Sequence, residues 1–171
     1  ARIEKWNVFV AHQGRDGPID ELATLESDGS TGASEPLGPD AVFKMRITVS
    51  DAVPLHLVWC DTNRRVYHVA RSDTDVRGLS YPDGDTFESI DAEDPRGIHL
   101  MVLVSGTSQG TEIRDGFGSV SVALATSTRS TGSRTDDPGV QFIPPDDLAG
   151  LRNRLPETLH VLGAVALRTP A

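Results

Sequence analysis

Period-two alternation is the dominant pattern of the chain. Across residues 42–49, Phe43, Met45, Ile47 and Val49 alternate with Lys44, Arg46 and Thr48. That predicts a strand with one face buried and the other toward solvent. Residues 5–11 (KWNVFVA) set Trp6, Val8 and Val10 against Asn7 and Phe9 and predict another strand. Residues 54–60 (PLHLVWC) and 97–105 (GIHLMVLVS) are apolar on both faces, which predicts central strands covered on both sides. Residues 65–71 (RVYHVAR) predict a returning strand after the polar turn Asp61-Thr62-Asn63-Arg64, where Asn63 suits a left-handed backbone. With Ser50-Asp51-Ala52 read as a turn, residues 42–71 form a three-stranded antiparallel meander. Residues 159–168 (LHVLGAVALR) predict a further strand, and residues 119–125 (SVSVALA) a strand or a short helix, with Val120 and Val122 favouring the strand.

Polar stretches separate these runs. Residues 26–39 and 126–139 are rich in Gly, Ser, Thr and Pro and predict two mobile segments. Residues 72–96 are acidic and rich in turn formers. Pro144-Pro145-Asp146-Asp147 opens a short helix that ends near Leu155, because proline and acid suit the first turn. The expected fold is mainly β, or α+β: an antiparallel β-sandwich with one short helix near the C-terminus, forming a single domain over residues 1–171. The strands at 42–49, 54–60, 65–71 and 97–105 are expected to share one core, with Met45, Ile47, Leu57, Trp59, Leu100 and Val102 buried. Trp59, in a run without charge, is expected to be a structural anchor of that core and not a ligand platform.

Charge narrows the function classes. Lys and Arg total 16 against 25 Asp and Glu, a formal charge of −9. No basic stripe offsets it, which argues against nucleic acid as a partner. Cys60 is the single cysteine, so neither an intrachain disulfide nor a CxxC metal site is possible, and a reducing, cytoplasmic location is expected. No apolar run reaches membrane-spanning length, and Ala1-Arg2-Ile3-Glu4 lacks the pattern of a secretion signal. The first residue is not Met, which is compatible with a piece of a longer protein.

Candidate chemistry is sparse. His56 and Cys60 share one strand face, with His68 on the paired strand, so a zinc site is conceivable. Positions four apart on a strand lie about 13 Å apart, too far for one metal. Cys60-Asp61 with His68 has the residue types of a cysteine nucleophile and its base, without a protease signature around it. His12, His99 and His160 read as packed or hydrogen-bonded strand histidines. Asp73-Thr74-Asp75-Val76-Arg77-Gly78 begins like a calcium loop, but Arg77 and Gly84 stand where ligands belong. Asp83, Asp85, Glu88 and Asp91 are candidates for weak divalent-ion binding. Phosphate-binding, dinucleotide, zinc-protease and serine-hydrolase motifs are absent, and no cofactor is expected.

Residues 40–112 resemble a β-rich domain of unknown function found in bacterial multidomain signalling proteins, beside caspase-like peptidases or serine/threonine protein kinases. The resemblance lies in order and spacing. AVFKMRITVS leads into PLHLVWCDTNRRVYHV, with Trp59 at the family's aromatic position. Leu79-Ser80-Tyr81-Pro82 matches a Leu-x-x-Pro edge, and Asp94-Pro95-Arg96-Gly97 precedes the apolar IHLMVLVS. Two departures are visible: Asn63-Arg64 replaces a turn glycine, and Arg96 separates Pro95 from Gly97. The resemblance implies a non-catalytic accessory module that docks another protein or another domain of its own polypeptide. Two alternatives remain: a small-ligand or divalent-ion sensor, and a hydrolase using Cys60 with a histidine.

Overall fold

Two antiparallel sheets pack face to face, and a helical layer covers the outer side of one of them. The structure is a computed structural model that describes residues 1–12, 20–26, 29–31, 37–38, 40–61, 65–89, 97–108, 111–118 and 139–169. The first sheet contains β1 (Ile3–His12), β2 (Asp20–Glu26), β3 (Gly29–Thr31), β4 (Ala41–Val53), β7 (Val76–Tyr81) and β8 (Glu88–Ser89). Its order is β3-β2-β1-β4-β7, with β8 also beside β4. The second sheet contains β5 (Leu55–Cys60), β6 (Val66–Arg71), β9 (Ile98–Ser105), β10 (Val140–Ile143) and β11 (His160–Arg168), in the order β10-β11-β9-β5-β6. The predicted β-sandwich is therefore present.

The meander predicted for residues 42–71 is not. β4 belongs to the first sheet, whereas β5 and β6 belong to the second. Ser50, Asp51 and Ala52 do not turn the chain back; they continue β4 past an irregularity in its pairing with β7. Pro54 then separates β4 from β5. A proline cannot donate to a ladder, so the chain leaves one sheet and enters the other at that residue. The Pro54 carbonyl accepts from Gly106 N–H at 3.0 Å, tying the corner to the end of β9.

The single expected core is likewise two. Trp6, Val8, Phe43, Met45, Ile47, Leu55, Leu57, Trp59, Met101, Leu103 and Val165 fill the space between the sheets. Val58, Cys60, Leu100, Val102 and Val104 point the other way, against a helical layer. The division follows from strand parity, because alternate residues of a strand covered on both sides enter different layers. Each of Met45, Ile47, Leu57, Trp59, Leu100 and Val102 is buried as expected.

The helical layer holds α1 (Thr111–Gly118), a 3-10 turn (Pro145–Leu148) and α2 (Ala149–Arg152). The second of these helical regions follows Pro144, as the proline and acids predict. α1 has too short an apolar period to read from sequence: Ile113 and Phe117, one turn apart, carry its burial. Gly116 lets α1 approach the other helical segment, since a Cβ there would lie 2.6 Å from Leu155.

Two pieces of the stretch 26–39 make backbone hydrogen bonds to the rest of the fold. Gly29–Thr31 pairs with β2, and buried Leu37 donates its N–H to the Arg168 carbonyl at 2.8 Å. Residues 27–28, 32–36 and 39 lie outside the described residues, as do the strand expected at 119–125 and the segment at 126–139 apart from Gly139.

One glycine is required by the corner. Gly106 has φ +121°, and an added Cβ would sit 2.1 Å from the Thr158 carbonyl oxygen. Gly106→Ala is expected to destabilise the fold by roughly 2–3 kcal/mol. Gly150 is exposed in α2 with open space around it, so Gly150→Ala is expected to be stabilising by about 0.5–1 kcal/mol. Urea unfolding of the two variants checks this, and equal midpoints would contradict it.

Candidate functional site

A cleft of about 250 Å³ opens where the free edges of the two sheets meet, lined by Trp59, Asp61, Tyr67, Val69, Tyr81, Glu88 and Ser89. β6 is the edge of one sheet and β7 the edge of the other, and the chain passes directly between them through residues 72–75. The β5–β6 hairpin sets Trp59 opposite Tyr67. Both side chains leave the same face, so their rings meet edge to face, with centroids 6.3 Å apart and planes at 67°. Phe43 closes the inner end, 6.0 Å from Trp59 and 6.4 Å from Tyr81 between centroids.

Hydrogen bonds hold each wall. The Trp59 indole N–H donates to His99 Nδ1 at 3.0 Å, so the ring is an anchor as expected, but it also forms the floor of the cleft. The Tyr81 hydroxyl donates to Glu88 Oε2 at 2.8 Å, and the Ser89 N–H donates to Oε1 at 3.1 Å. Burial, then the bond to Glu88 and its charge, raise the Tyr81 phenol above its usual range, so it stays protonated. Lys44 Nζ donates to the carbonyls of Pro82 and Gly84, fixing the turn that carries Tyr81 toward Glu88. Asp61 is buried; Oδ1 accepts from the Arg65 N–H and Oδ2 from Arg65 Nε, each at 3.0 Å. The result is a cleft lined by three aromatic side chains, with one ion pair and one further carboxylate in its wall.

The other candidates are distributed elsewhere. Among the described residues, no three His, Cys, Asp or Glu side chains converge to hold a metal ion. Asp83 and Asp85 are exposed in the turn before β8, Glu88 is bound to Tyr81, and Asp91 lies outside the described residues. The stretch that begins like a calcium loop enters β7 at Val76, and Asp73 pairs with Arg71 at 3.4 Å. His160 is exposed at the start of β11, and the side chain of His12 lies outside what the structure describes.

Cys60 faces the layer under the helices, away from the cleft. Burial, then the charge of Asp61, push its thiol up to about 12. His56 and His68 do meet: Nδ1 of His56 lies 3.0 Å from Nε2 of His68, and Nε2 of His56 lies 2.8 Å from the Gly106 carbonyl. A carbonyl only accepts, so His56 carries its proton on Nε2 and accepts from His68 through Nδ1. The pair is a structural tie between β5, β6 and the end of β9.

Sequence reasoning missed Tyr67, Val69, Tyr81 and Ser89 as site residues, and named Asp61 only beside Cys60 as part of a nucleophile reading. The hairpin centred on Asn63 contains the signal for Tyr67 opposite Trp59. Tyr81 has no such signal, because it comes from the opposing sheet. Comparisons with protein-family models, with curated proteins and with solved structures return no match. No helix among the described residues is long and apolar enough to cross a membrane.

Two outcomes test this geometry. Native Cys60 is expected to resist Ellman's reagent at pH 8 and to react fully in urea; rapid native labelling would restore it as a nucleophile. His68 is held below its ordinary value by burial, then by His56, Arg71 and Arg114, against a smaller opposing effect of Asp73. The unfolded chain therefore binds the extra proton first. The contribution of His68 is complete above about pH 6.5 and is lost as pH falls through its lower folded value. Melting temperatures at pH 5 and pH 7.5 are expected to differ less in His68→Gln than in the parent; an unchanged difference would remove His68 as the cause.

Proposed function

We propose that the chain is a non-catalytic binding module whose recognition surface is the aromatic cleft between β6 and β7. The observation that carries this is the placement of Tyr67. Among the described residues it is the large hydrophobic side chain left exposed, at 43%, and it stands at the lip of the cleft. Exposed tyrosine beside buried tryptophan, with Arg65 close by in its ion pair with Asp61, is the composition of a binding hot spot. The cleft offers shape, ring faces and negative charge, while Cys60 points away from it and the His99 Nδ1 is occupied by Trp59. The partner is another protein or another domain of the same polypeptide. On the resemblance of residues 40–112, the setting is a bacterial multidomain signalling protein, and the single buried cysteine fits its cytoplasm. A second reading, a small-ligand sensor, is favoured by the size of the cleft, which suits one headgroup better than a large molecule.

Selection of binders from a displayed peptide library tests the reading. Selected peptides are expected to lose about tenfold or more in affinity for Tyr67→Ala, with an unchanged melting temperature. Binders indifferent to Tyr67 would overturn it.

A further inference from the structure

We infer that the cleft takes a quaternary ammonium group, held by the faces of Trp59, Tyr67 and Tyr81; this rests on the reading of the cleft as the recognition surface. Three observations lead there. First, three aromatic rings, Trp59, Tyr67 and Tyr81, line the cleft. Such a lining attracts a cation through the negative ring faces. Second, the fixed charge is negative. Asp61 is balanced by Arg65, but Glu88 has a hydroxyl and a backbone N–H as its partners in the wall, and neither carries a positive charge. Lys44 is committed to the carbonyls of Pro82 and Gly84.

Third, the acceptors are partly engaged, so fewer lone pairs remain for an entering N–H donor. Both oxygens of Glu88 and both oxygens of Asp61 accept hydrogen bonds from within the fold. A primary ammonium or a guanidinium entering the cleft gives up its water and needs acceptors in return. A quaternary ammonium has no N–H to satisfy, so it loses least by entering. The volume of about 250 Å³ is that of a headgroup site rather than of a drug-sized ligand. The same headgroup occurs on a free solute and on a trimethylated lysine of a partner chain; the cleft chemistry is common to both.

The experiment is an NMR titration of the native chain with choline chloride, in parallel with sodium chloride and with 3,3-dimethyl-1-butanol, the neutral isostere of choline. Choline is expected to produce saturable shifts at the Trp59 indole N–H and at the Tyr67 and Ser89 amides. The Trp6 indole, wholly buried between the sheets, is expected to stay still. The neutral isostere is expected to bind about tenfold more weakly, the discrimination that a desolvated cation–π contact provides. Tyr67→Ala and Glu88→Gln are expected to weaken choline about five- to tenfold with the chain still folded; in Glu88→Gln the amide oxygen still accepts from Tyr81 but the NH2 cannot accept from Ser89, so a small fall in melting temperature accompanies the loss. A peptide carrying trimethyllysine, compared with its lysine counterpart, distinguishes the sources: a marked gain over choline assigns the headgroup to a partner chain, and equal affinity to a free solute. Equal binding of choline and its isostere, or shifts outside the cleft, overturns the inference. If choline fails while selected peptides still depend on Tyr67, the ammonium assignment falls and the binding module stands. If neither binds through the cleft, both fall.

Discussion

The centre of the second sheet is buried on both faces, and the rest of the structure depends on that constraint. β5 and β9 have every residue buried, and β11 is buried from Val161 to Leu167. A strand in that position must supply apolar side chains in both directions, and each direction needs its own cover. The first sheet covers one side and the helical layer covers the other. Helices of only a few residues suffice because they do not stand alone: Ile113, Phe117, Leu148, Leu151 and Leu155 are held by the sheet they cover.

The same constraint explains where polar groups are tolerated. His56 and His99 lie in this sheet, nearly inaccessible, and each is tied by a named bond: His56 to Gly106 and His68, His99 to Trp59. Asp61 sits where β5 leaves the core and is neutralised at once by Arg65. Burial without such partners would be costly. It is at this end of β5, where double cover stops, that the cleft opens. An edge strand cannot be covered on both faces by the layers that cover the centre, so the gap between β6 and β7 is a consequence of how the sandwich ends.

Trp59 illustrates how one residue serves both needs. Its ring packs on Phe43 and its indole N–H is satisfied by His99, which makes it part of the core. Its 8% exposure is directed into the cleft, where Tyr67 meets it. Anchor and binding floor are compatible because the rigid packing on one side orients the ring for the other.

Alternation along residues 42–49 and 5–11, and the unbroken apolar runs at 54–60 and 97–105, were enough to determine these strands and the β-sandwich class, although the alternation put Lys44 toward solvent and it is buried, its ammonium on the Pro82 and Gly84 carbonyls. Those properties are local: the period of the backbone projects directly onto the sequence. Which sheet each strand joins was not local. Pro54 marks a break in the ladder, yet a turn within one sheet and a crossing between two sheets leave the same mark, and only the pairing of β5 with β6 and β9 instead of β4 decides between them. α1 was illegible because eight residues with two glycines carry little helical signal of their own. For the cleft, Trp59 and Tyr67 were legible as neighbours through the hairpin, and Glu88 as an acid of unknown use. Their meeting with Tyr81 was decided by tertiary structure alone, because hydrophobic pattern encodes that a side chain is buried and not which side chain faces it across a layer.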